Sequence, residues 1–151
     1  ALPVSHDEFI DILTPLLDTA DVQRLSEFRH HGFNTLLEHS LEVAWRSYAT
    51  AKTLSLDYTS TARGALLHDL FFYDWMKEGP RLHGCRHPKI SLQNAVKTAD
   101  LNEKEKDIIR KHMWPLTLVP PRYPESWVVS FVDTYCSMRD CVVLVRKIRA
   151  G

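Results

Sequence analysis

The chain carries eight histidines in 151 residues, roughly twice the usual share, and several of them lie where solvent should not reach. Residues 66–75 read LLHDLFFYDW, so the adjacent His68 and Asp69 fall inside an otherwise apolar stretch. Burying an ionisable pair costs several kcal/mol, on the order of the desolvation of each ion, unless a partner, a metal or solvent compensates it. On helical spacing His39 shares a face with Leu36 and Val43, and His112 follows Ile108 and Ile109. Asp133 has Val129 four residues before it and Cys136 three after. His87 is expected as the last loop residue before a helix.

Each of these placements alone has an ordinary explanation. A single histidine on an apolar face is commonly a satisfied core or boundary residue, and a lone buried Asp is commonly a cap or ion-pair partner. Four histidines and two aspartates on inward faces of at least four helices are harder to satisfy pairwise. One or two divalent transition-metal ions (Fe, Mn, Zn, Ni or Co) resolve the cost together, because imidazole nitrogen and carboxylate oxygen suit these metals without a thiolate. His68 and Asp69 point about 100° apart on a helix, so they approach an ion from different sides. Asp69, with two oxygens, can bridge two ions, whereas an imidazole offers one free lone pair.

The elements that must position these groups read as helices almost throughout. Ser5 to Glu8, SHDE, has capping-box form, and Phe9, Ile12, Leu13, Leu16 and Leu17 repeat at helical spacing. Further helices are expected at about 35–54, 60–76, 88–99 with Pro88 in the first turn, 102–114, and from about 125 to 140 or 149. The loop 77–87 and the proline-rich 115–124 connect them. No strand pairs, repeats or low-complexity segments are visible. The expectation is a single all-α domain over 1–151, a compact bundle of about six helices that places its metal ligands facing inward.

Composition limits the purpose. Formal net charge is zero, which argues against a broad surface for nucleic-acid polymers. No apolar run approaches the roughly 20 residues of a bilayer span, so no membrane partner is expected. Three cysteines in no C-x-x-C arrangement, and a start without a signal-peptide pattern, favour reduced thiols in a cytoplasmic protein. Lys77, Arg81, His83, Arg86 and Lys89 are interleaved with two glycines around His87, and Lys111 adjoins His112. Singly these are surface charges; as a set they place positive charge beside a proposed ligand and suit a small phosphate ester. Arg29, His30 and His31 read as helix-end polarity, with one of them reaching the cleft as the alternative. Glu38, Asp74 and Asp140 are candidates to orient imidazoles. Trp45, Trp75, Trp114 and Trp127 read as core or rim packing.

His39 in LLEHSLEVA, His68 and Asp69 in ALLHDLFFYDW, and Asp133 in VVSFVDTYC together resemble the ordered motif of the HD-domain superfamily of metal-dependent phosphohydrolases. The resemblance spans about 31–140. It implies a first metal site from His39, His68, Asp69 and Asp133. His87 in CRHPKISLQNA and His112 in IIRKHMWPL match the two histidines that some branches add, which implies a second ion bridged by Asp69. The wording HGCRHP and IIRKHMWPL is similar to a group of small bacterial HD proteins. The implied activity is hydrolysis of a nucleotide or other small phosphate ester by a metal-activated water, with Asp69 and His68 catalytic. Arg81, Arg86, Lys89 and Lys111 are the substrate-binding candidates, and homodimerisation is left open. Many HD enzymes place a Lys three residues after the Asp; here that residue is Phe72. An HD-type di-iron oxygenase, and a non-catalytic metal-binding regulatory module, are the alternative expectations.

Overall fold

The computed structural model describes residues 3–30, 34–73 and 86–151, together with the backbone of 83–85. Among the described residues there are seven α-helices and no strand, so the fold is all-α as expected. They are α1 (His6–Leu17), α2 (Ala20–Arg24), α3 (Leu36–Thr53), α4 (Tyr58–Leu67), α5 (His83–Thr98), α6 (Glu103–Lys111) and α7 (Pro124–Ala150). The addition to the expected set is α2, followed by a 3-10 turn at Leu25–Glu27. It buries only Val22, too short an element to show a helical period. No described helix is long and apolar enough to cross a membrane.

Local chemistry starts most helices. Thr35 caps α3 by accepting from Glu38 N–H at 3.1 Å, and Asp57 caps α4 by accepting from Ser60 N–H at 3.0 Å. Asn102 and Glu105 form a reciprocal capping box on α6. The expected box on α1 is half made: Ser5 accepts from Glu8 N–H at 3.3 Å, but the Glu8 carboxylate turns to the Lys52 ammonium and the Tyr48 hydroxyl. Lys52 is only 5% exposed, and a buried cation demands a counter-charge more strongly than an end-of-helix N–H does. Ser55, at φ 58°, closes α3, with Leu56 N–H bonding back to Ala51 carbonyl at 2.8 Å.

At the centre, α3 packs on α4 and α7, while α6 joins α4, α5 and α7. Leu36, Val43, Ala44, Tyr48, Leu66, Leu67, Ile108 and Val129 are fully buried among them. Two boundaries differ from expectation in ways that matter. The expected helix 60–76 stops at Leu67, with His68 as its C-cap, and Asp69 lies in the following turn. Helix α5 begins five residues before Pro88, so His87 sits on a helix rather than in a loop. Pro88 lies inside α5, so that helix forgoes the bond a backbone N–H there would make to the carbonyl four residues earlier.

Candidate metal centre

Five elements deliver the six candidate ligands. His39 lies on α3, one turn past its Thr35 cap; His68 closes α4 and Asp69 follows it; His87 is on α5, His112 closes α6, and Asp133 is on α7. All six are at most 6% exposed. The segment after Asp69 is held by the Asn94 side-chain amide, which donates to Leu70 carbonyl at 2.8 Å. The end of α6 is held by Ser130, whose hydroxyl donates to His112 carbonyl at 2.9 Å. Ser130 stands one turn before Asp133, so α7 fixes two sides of the centre at once.

The ligand atoms form two sets that share Asp69. In the first, His39 Nε2 is 2.8 Å and His68 Nε2 3.2 Å from Asp133 Oδ1. The same nitrogens are 3.7 and 3.3 Å from Asp69 Oδ2. In the second, His87 Nε2 and His112 Nε2 lie 3.1 and 3.4 Å from Asp69 Oδ1, and 2.8 Å from each other. Within each set the ligand atoms lie within 4.8 Å of one another, close enough to surround a single ion. The two oxygens of one carboxylate are thus divided between two clusters of imidazole nitrogens.

Hydrogen bonds orient two of the rings. His68 Nδ1 is 2.5 Å from Ala65 carbonyl and His112 Nδ1 is 2.8 Å from Ile109 carbonyl. A carbonyl can only accept, so the proton of each neutral ring sits on Nδ1 and leaves the Nε2 lone pair facing the cluster. Lone pairs aimed at carboxylates repel unless a cation or a proton stands between them. Asp69 Oδ1 is buried and accepts no hydrogen bond although two ring nitrogens are within 3.4 Å. A buried acceptor left this way is costly. Convergent nitrogen lone pairs, two carboxylates and an orphaned oxygen fit one or two divalent cations.

Without a cation, protons must supply the balancing charge. Burial opposes charging His68, but Asp69 and Asp133 outweigh it and hold its pKa well above the usual imidazole value. Burial likewise works against both carboxylates. The charge on His68 nonetheless keeps Asp69 and Asp133 well below the ordinary range. His112 moves the other way: burial lowers its pKa, and the neighbouring His87 and His68 add to that against the pull of Asp69. One ring that holds a proton and another that sheds it leave His112 with a lone pair to offer.

Two further residues reach the site. His30 is 7% exposed and stacks on His39 at 3.5 Å between ring centroids, with its Nε2 3.8 Å from Asp69 Oδ2. His30, His39 and Asp140 form a third group whose ligand atoms lie within 4.8 Å. His30 is brought in by backbone pairing: its N–H bonds to Asn34 carbonyl at 2.8 Å, and Leu36 N–H bonds to Phe28 carbonyl at 2.8 Å. The sequence offered this placement as the alternative for one of Arg29, His30 and His31. Tyr73 feels Asp69 as well; burial, then that carboxylate, push its phenol up to about 12, so it keeps its proton at neutral pH.

Among the residues considered for orienting imidazoles, Asp140 is at the site, held by Asn34 at 3.1 Å and Arg139 at 2.9 Å. Glu38 is spent on the Thr35 cap; Asp74 lies outside the described residues. Of the cations, Arg81 also lies outside them, and Arg86 is exposed on α5. Lys89, Arg110 and Lys111 line a cavity of about 380 Å³ with Pro88 and Leu118. Lys111 is bound to Asp107 at 2.7 Å, so it reaches that cavity as half of an ion pair. Phe72 packs against Phe28, and the Arg24 guanidinium sits 4.8 Å over its ring. No protein-family model, curated protein or solved structure matches the chain.

Proposed function

We propose that this chain is a metal-dependent phosphohydrolase of HD type, acting on a nucleotide or another small phosphate ester. The observation that carries the reading is the division of the Asp69 carboxylate: Oδ2 faces His39 and His68, while Oδ1 faces His87 and His112. His39, His68, Asp69 and Asp133 would hold one cation, and Asp69, His87 and His112 a second. When bound, such ions supply Lewis-acid polarisation of a phosphoryl oxygen and a water acidified enough to act as nucleophile. The protein's own residues do the rest. The 65 and 109 carbonyls keep two rings presenting lone pairs, which pre-organises the centre before any ion arrives. The first set has four protein ligands and the second three, so the second leaves more positions for an oxygen of the substrate. Tyr73, protonated at neutral pH, can donate to an anionic oxygen beside Asp69. Lys89 and Arg110, at the cavity bordered by the neighbours of His87 and His112, supply positive charge that suits an ester carrying further negative charge.

The test is metal analysis of protein purified without added metal, followed by a panel of phosphate esters. Two equivalents of transition metal and phosphate release are expected. Asp69→Asn should lose both ions and lower turnover by about 10²–10³-fold or more, the size of losing one strong electrostatic stabiliser. His87→Ala should lose one equivalent and keep the other. Activity that survives in excess chelator would sink the reading. Oxygen uptake by iron-loaded protein without phosphate release would replace hydrolysis with oxygenase chemistry at the same ligands. A metal-replete protein inert on the whole panel would leave a regulatory module.

A further inference from the structure

Helix α7 buries one face in the bundle and, among the described residues, leaves an apolar stripe exposed on the other, where only the Arg46 guanidinium, 5.5 Å over the Tyr135 ring, and Trp127 approach it. Its buried residues are Glu125, Ser126, Val129, Ser130, Asp133, Cys136 and Asp140, all on the side that meets the rest of the bundle. On the opposite side Phe131, Tyr135, Met138, Val142 and Val145 are 68, 55, 65, 50 and 48% exposed. Their spacing is four, three, four, three, and they fall within a stripe about 80° wide. A helix resting on a domain ordinarily turns polar residues outward. A 4-3-4-3 run is instead the seam by which one helix packs on another. The surface continues toward the N-terminal end of α7, where Trp127 stacks on Phe131 at 6.0 Å and meets Trp114 at 5.0 Å.

Beyond Asp140 no residue of α7 is buried. That stretch includes Val142, Val143, Val145 and Ile148, β-branched residues that favour helix weakly. These residues only prolong a helix already formed by its buried part, and packing on their exposed side would add to their weak propensity.

We infer that this face is the contact between two copies of the chain, with their α7 helices antiparallel about a two-fold axis near Met138. Size supports it: the five seam side chains expose on the order of 500–600 Å² per copy. A symmetric pair would therefore bury about 1,000–1,200 Å² from them alone, at the lower edge of stable interfaces before their neighbours are counted. Volume supports the direction. Antiparallel packing sets the aromatic half of the stripe, Phe131 and Tyr135, against the partner's valine half, so large meets small along the seam. Charge supports it too. Arg146, Lys147 and Arg149 crowd the C-terminal end; a parallel pair gathers both sets, whereas an antiparallel pair separates them and opposes the helix dipoles. The contact is independent of the chemistry of the metal centre, although it braces the helix that carries Asp133.

The test is light scattering and sedimentation of the full chain between about 1 and 100 µM, a range that brackets ordinary dimer affinities. A mass of twice 17.5 kDa is expected. Met138→Lys and Tyr135→Glu should each raise the dissociation constant by at least about 30-fold, the effect of losing a central anchor, with helical circular dichroism retained. If one variant misfolds, the other carries the test. In a Cys141→Ser background, Met138→Cys should oxidise to a dimer joined 138 to 138, and Val145→Cys should not. A monomer across the range overturns the inference, as does a dimer indifferent to both substitutions. Equal cross-linking at 138 and 145 overturns the antiparallel arrangement.

Discussion

Asp69 Oδ1 is buried against two imidazole nitrogens and accepts a hydrogen bond from neither; at the scale of single residues, such an atom is placed where a cation could bind. Side chains elsewhere show what a satisfied carboxylate looks like here. Glu42 takes both arms of the Arg139 guanidinium, which also donates to Asp140 at 2.9 Å. The Arg139 bond, against the opposing cost of partial burial, lowers the Glu42 pKa. A carboxyl whose folded pKa lies below its unfolded value of about 4.3 stabilises the fold above that value. The contribution disappears as pH falls through the folded pKa. The pair is partly exposed, so solvent screening limits it to about 0.2–1 kcal/mol. Arg139→Gln should therefore lower the melting temperature at pH 7 by about 1–4 °C, and the gap should close toward pH 3. A gap that stays constant in melts across that range would contradict the assignment. His39, His68 and Asp133 were legible as candidates because their helical spacing puts each on an apolar face. His30 was legible only as an alternative among Arg29, His30 and His31, because its approach to Asp69 depends on backbone pairing between Phe28–His30 and Asn34–Leu36 rather than on any periodicity.

At the scale of elements, the centre depends on how closely helices meet. A Cβ placed on Gly64 of α4 would lie 2.9 Å from Ile108 Cδ1 and 3.1 Å from Ile108 Cβ on α6. Glycine is therefore needed for close approach between the helix that ends in His68 and the helix that ends in His112. Gly64→Ala gains helix propensity of about 1 kcal/mol but overpacks the contact by about 1–3 kcal/mol or more, since the Ile108 Cβ cannot swing away. A fall in melting temperature of up to about 8 °C is expected, together with weaker retention of metal at the His87–His112 set. An unchanged melting temperature and full metal content would show that α6 shifts freely. Most helix bounds followed from caps and apolar spacing. The main error was the end of α4: the apolar run through Phe72 reads as continued helix, yet the chain leaves the helix at His68 and turns Asp69 into the centre. Hydropathy could not show that, because buried turn and buried helix use the same side chains.

For the molecule as a whole, six buried ionisable side chains converge from α3 to α7, so binding a metal there would be coupled to folding. A cation that binds the folded chain alone stabilises it by about 2.7 kcal/mol at a hundredfold excess over its dissociation constant, or about 5–11 °C. Excess chelator should lower the melting temperature by that order, and Zn²⁺ or Mn²⁺ should restore it in the native chain but not in Asp69→Asn. Equal melting temperatures with metal and with chelator would mean that protons on the imidazoles, His68 foremost, suffice to balance Asp69 and Asp133. The same scale holds the outer stripe of α7, where a helix already packed on one side presents a second seam.

The all-α class, the inward faces and the candidate ligand types belong to the sequence by itself, because caps act within a few residues and a 3.6-residue period assigns each side chain to a face. Which ligands meet was decided by the tertiary structure. The division of the Asp69 oxygens, the arrival of His30 and Tyr73, the turn of Glu8 toward Lys52 and the exposed seam of α7 all depend on distances between segments remote along the chain. Those distances are set by how the helices pack, which no local pattern encodes.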